Sequence, residues 1–146
     1  MSTLKSQTGF GLIEVLVSLL IVSIGLLGIA ALQITSLKNV GSSMERSQAV
    51  FLTYSYMDVL RANRDKAVLA EFDVPVMTCD PEFLDETLVE QRKWLTQLHQ
   101  RVGPGSCGQV VCALGEAGTC TVTVQWDDSH AEGGSTTQQL RTETKL

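Results

Sequence analysis

Proline, positive charge, histidine and closely spaced cysteine are all scarce in this 146-residue chain. None of its three prolines precedes Pro75, so no proline interrupts a helix in the first half. Lys and Arg number 11 against 16 Asp and Glu, for a net charge of −5, and no basic patch is interleaved with aromatics. That excludes the electrostatic footprint expected of direct nucleic-acid binding. The four cysteines, Cys79, Cys107, Cys112 and Cys120, form no C-x-x-C pair, and the two histidines, His99 and His130, show no ligand spacing, so neither a metal nor a cofactor is expected. Nucleophilic cysteine chemistry would need a histidine partner. His99 stands before a Gly-Pro-Gly turn and His130 in a polar tail, and neither setting is recognisably catalytic. No enzyme is expected, and no internal repeat is evident.

What the chain does have is one long apolar block. From Phe10 to Leu32 the only charge is Glu14. As an α-helix this stretch of about 23 residues would span about 34 Å, enough to cross a bilayer. It exceeds the usual apolar core of a secretory signal, and no A-x-A cleavage site follows it, so it is expected to stay attached. Ahead of it, residues 1–9 are polar and carry Lys5. The remainder is roughly 110 residues, a size at which core burial alone is marginal. All four cysteines lie in that remainder, and two disulfides in an oxidising compartment would place it outside the cytoplasm.

The coarse reading is α+β. No terminator closes the apolar block, and Ala49, Leu52, Tyr56, Val59, Leu60 and Ala62 recur at helical spacing. One helix is therefore expected from about Phe10 to Leu69, roughly 90 Å long, apolar all round in its first half and amphipathic in its second. Pro75 and Pro81 bracket an irregular connection containing Cys79. A second helix follows from about Pro81 to Val102, with Leu84, Leu88, Leu95 and Leu98 on one face, and Gly103-Pro104-Gly105 ends it. Gln109–Leu114 and Cys120–Trp126 then read as strands around Gly115-Glu116-Ala117-Gly118. The polar ending forms either a third strand near Gln138–Thr142 or no regular structure. The expected segments are 1–9, a leader; 10–32, the membrane helix; and 33–146, a globular domain that takes in the second half of the long helix.

Four cysteines allow three connectivities. Cys112 and Cys120 flank a Gly-rich turn and can face each other across a hairpin, which leaves Cys79 for Cys107. Alternatively Cys107 joins Cys120 and Cys79 joins Cys112, which staples both strands to the helices.

A carboxylate inside a membrane helix costs about 2.5–3.5 kcal/mol at the bilayer centre, so Glu14 calls for a partner. The string Lys5-Ser6-Gln7-Thr8-Gly9-Phe10-Gly11-Leu12-Ile13-Glu14 resembles the class III signal of type IV pilins and pseudopilins. That family has a short leader ending in Gly, an aromatic or Met as the new N-terminus, and Glu at the fifth mature position. The resemblance implies that a prepilin peptidase cuts between Gly9 and Phe10 and that the new amine of Phe10 is methylated. That amine can then neutralise Glu14 within a subunit or between staggered neighbours and so set the helix stagger of a filament. It also implies a pilin-like fold: a long N-terminal helix, a second helix and a small antiparallel sheet.

Further segments resemble the PilV-type pilus modification proteins. These are Ser23-Ile24-Gly25-Leu26-Leu27-Gly28, Asp58-Val59-Leu60-Arg61-Ala62-Asn63, Trp94-Leu95 with Gln97-Leu98, and Thr121-Val122-Thr123-Val124-Gln125-Trp126-Asp127-Asp128. This resemblance implies a low-abundance minor pilin that works with other minor pilins and the major pilin to start assembly or form a tip complex, supporting a tip adhesin, adhesion and twitching motility. The precursor would sit in the inner membrane with a cytoplasmic leader and a periplasmic domain before moving to the pilus at the cell surface. The alternatives are a minor pseudopilin of a type II secretion system and a competence pilin for DNA uptake. Trp94 and Trp126 are expected in the core rather than at a ligand site.

Overall fold

The computed structural model describes residues 9, 11–113 and 118–146. The chain divides into two compact units, Met1–Leu37 and Lys38–Leu146. Helix α1 runs Leu12–Ala62. In the first unit every residue from Leu12 to Leu37 is exposed, so among the described residues this apolar stretch packs against nothing. It is long and apolar enough to cross a membrane.

In the second unit, α1 buries Ala49, Leu52, Thr53, Tyr56, Met57 and Leu60. These positions recur every three or four residues and form one stripe facing the core. The helix ends at Ala62, before the Leu69 expected from sequence. Asn63 turns its side chain back to donate to the Val59 carbonyl at 2.9 Å, and its backbone leaves the helical region. Only a short α2, Arg64–Ala67, follows. The chain then reverses through Ala70 at φ 62°, and the reversal is held by Tyr56 donating to the Phe72 carbonyl and Gln91 donating to that of Glu71.

A second correction concerns residues 74–78. The expected irregular connection is a strand, β1 (Val74–Thr78), which pairs antiparallel with β2 (Cys107–Cys112). Pro75 is tolerated because β1 lies at the sheet edge, where one row of N–H groups has no neighbour. The second helix also starts later than expected. Pro81–Phe83 forms only a 3₁₀ turn, capped by the Asp80 side chain on the Glu82 N–H, and Asp85 bonds Thr87 twice in a separate turn. These local bonds compete with helix, so α3 begins at Val89 and runs to Arg101.

The sheet order is β1-β2-β3-β4, all antiparallel, with β3 at Thr119–Trp126 and β4 at Gln138–Lys145. The polar ending therefore does form a strand. Along β3, Cys120, Val122, Val124 and Trp126 are buried, as period-two alternation requires, and they share the core with α1 and with Trp94, Leu95 and Leu98 of α3. Helix α3 lies close on β2 at Gly108, where any Cβ would strike the rings or methyls of Trp94 and Leu95. The architecture is the pilin-like α+β arrangement. Leu114, Gly115, Glu116 and Ala117 fall outside the described residues.

Candidate processing site and assembly helix

Residues 1–8 and Phe10 lie outside the described residues, so the geometry of the signal rests on Gly9, Gly11 and the start of α1. Gly9 is exposed, and a Cβ placed there would meet nothing within 4 Å. No contact among the described residues requires glycine at that point. Helix α1 opens at Leu12, and the Glu14 N–H donates to the Gly11 carbonyl at 3.0 Å. Glu14 thus sits in the first turn, where the positive end of the helix dipole favours a carboxylate. Among the described residues no basic group forms an ion pair with it.

Gly25 and Gly28 repeat the pattern seen at Gly9. Each weakens the helix by about 1 kcal/mol relative to alanine, and a Cβ at either would meet nothing within 4 Å. No packing contact among the described residues offsets that loss.

Arg61-Ala62-Asn63 and Trp94, both singled out by resemblance, are structural in this chain. Arg61 bonds Asp58 at 2.9 Å and Thr144 Oγ1 at 2.8 Å, while Asn63 ends the helix. Trp94 donates to the Leu52 carbonyl at 3.2 Å and packs on Tyr56 with ring centroids 4.6 Å apart. Trp126 is buried in the same core.

Disulfides join Cys79 to Cys107 and Cys112 to Cys120. Cys112 and Cys120 are directly opposite in the β2–β3 register, so the ladder itself brings the two Cβ atoms together. Cys79 lies just beyond β1, and Cys107 opens β2.

One grouping was not foreseen. His130, expected to stand alone in a polar tail, has Nε2 3.6 Å from Glu45 Oε1 on α1 and 4.0 Å from Asp128 Oδ1. Glu45 and His130 are far apart in sequence, and no local spacing rule connects them. His99 instead bonds the Ser106 carbonyl at 2.9 Å.

Comparison with protein families matches residues 4–30 to the prokaryotic N-terminal methylation motif. Comparisons with curated proteins and with solved structures gave no match. The matched segment contains Gly9, Phe10, Glu14, Gly25 and Gly28, and it implies processing by prepilin peptidase. Together the motif and the apolar start of α1 are compatible with a membrane-anchored precursor. That motif, leading into a pilin-like α+β domain, supports a type IV pilin-family protein.

Proposed function

We propose that this protein is a minor type IV pilin of the PilV type, cut between Gly9 and Phe10, methylated on the Phe10 amine, and used to start pilus assembly or to form its tip complex. The observation that carries the reading is the methylation motif on a helix whose apolar side chains, from Leu12 through Leu37, are all exposed among the described residues. Such a surface is stable in lipid or against other apolar helices, and the route from precursor to filament offers both in turn. Glu14, unpaired among the described residues, gains its counter-charge from the cleaved amine of its own or a neighbouring subunit. The domain is exported to the periplasm, where its two disulfides persist. Its role is assembly with other minor pilins, the major pilin and a tip adhesin, not catalysis. That role supports adhesion and twitching motility.

Deleting the gene tests the assembly role. Surface pili or tip adhesion should fall sharply while major-pilin synthesis continues, and immunogold should find this subunit rarely and towards filament ends. Normal piliation, adhesion and twitching in the deletion strain would overturn the proposal, as would uniform labelling along the shaft.

A further inference from the structure

Glu45, Asp128 and His130 come from α1 and from the segment between β3 and β4, and each brings one donor atom within 4.8 Å of the others. Asp128 is 5% exposed. Its Oδ2 accepts from Ser42 Oγ at 2.9 Å, whereas Oδ1, on the side of His130, meets no hydrogen-bond donor. Glu45 Oε2 is likewise buried with no donor. Among the described residues, the only ion-pair partner of either carboxylate is His130, and the contacts are long. A buried carboxylate oxygen with no donor is costly, and a second carboxylate beside it adds repulsion.

From this we propose a divalent transition-metal site of the zinc class, with Glu45, Asp128 and His130 as its three protein ligands. Two carboxylates and one imidazole form a mixed O/N set that suits zinc better than calcium or magnesium, which prefer oxygen alone. Around a tetrahedral ion with bonds of about 2.0–2.1 Å, donors lie about 3.3 Å apart. The 3.6 Å and 4.0 Å separations need only small side-chain adjustments to reach that spacing. A cleft of about 400 Å³ adjoins Glu45 and His130 and is walled by Trp126, Asp127 and Ser129, leaving room for water as the fourth ligand. Ser42 holds Asp128 by its other oxygen, the outer hydrogen bond that usually orients a metal-binding carboxylate. The segment between β3 and β4 is also shaped around Asp128. Its N–H bonds the Ser135 carbonyl, and a Cβ at Gly134 would collide with the Asp128 carbonyl oxygen. The bound ion would clamp that segment to α1 without relying on any other chain.

The test is zinc titration of the full, untagged chain in detergent, with both disulfides oxidised and prior chelator treatment. Calorimetry should show one zinc per chain, and zinc should raise the melting temperature. Cobalt should give the visible absorption of a four-coordinate site. Glu45→Gln and His130→Gln should each weaken zinc by more than about 100-fold, and Ser42→Ala by about 10- to 100-fold. His99→Gln should leave binding intact. His130 is 40% exposed at its side chain, so its replacement tests the site without opening the core. No saturable zinc binding, binding unchanged in both the Glu45 and His130 variants, or preference for calcium would overturn the proposal.

Discussion

Trp94 lies so close over Gly108 that a Cβ at position 108 would stand 2.5 Å from its ring. Helix α3 and strand β2 meet there without a side chain between them. Gly108→Ala should therefore destabilise the domain by about 1–3 kcal/mol through overpacking. Chemical denaturation of the variant checks this, and a midpoint equal to that of the parent protein would contradict the contact.

Processing gives the next expectation. Intact-mass analysis of the membrane or filament form should show loss of residues 1–9 and one added methyl group. A bulky residue at Gly9 should block cutting, although the fold has open space there. Glu14→Val should leave cutting nearly unchanged and impair assembly. A full-length mature chain in cells with active prepilin peptidase would rule the assignment out.

The two disulfides close loops of different size, with sequence separations of 28 and 8. In the chain-entropy treatment the larger is worth about 3–4 kcal/mol and the smaller about 2–3 kcal/mol. Replacing Cys79 and Cys107 together by serine should therefore cost more stability than replacing Cys112 and Cys120. Denaturation curves of the two double variants decide the order, and peptide mapping under non-reducing conditions should recover the same two bridges.

Burial raises the Asp73 carboxyl above its ordinary value of 3.8, and the hydrogen bond from the Cys112 N–H only partly opposes the shift. The folded state thus holds this proton more tightly than the unfolded state. Its contribution to stability is complete below 3.8 and is lost as pH rises through the folded value. Asp73→Asn should flatten that falling limb in a plot of unfolding free energy against pH. An unchanged slope would show that other groups cause it.

Elements with a strong local period were legible from sequence: the apolar opening of α1, its stripe through Leu52, Tyr56 and Leu60, and the alternation from Cys120 to Trp126. The misread elements were decided by contacts that no local pattern encodes. Pro75 reads as a loop residue until its strand is known to be an edge. The stop at Ala62 depends on an asparagine folding back on its own helix, and the late start of α3 on side chains of Asp80 and Asp85 that bond neighbouring backbone. The methylation motif over residues 4–30 was readable because it is a short, contiguous pattern in the chain. The meeting of Glu45 with His130 depends on tertiary folding and leaves no linear trace.

The two outer strands bear on how copies of this molecule behave when crowded. A free strand edge is an invitation to sheet extension and aggregation. Here one border carries Pro75, which has no N–H to offer, and a register irregularity between Val74 and Thr78. The opposite border carries exposed Arg141, Glu143 and Lys145. Both borders discourage a second sheet from docking by backbone pairing, which steers contacts between copies away from amyloid-like stacking.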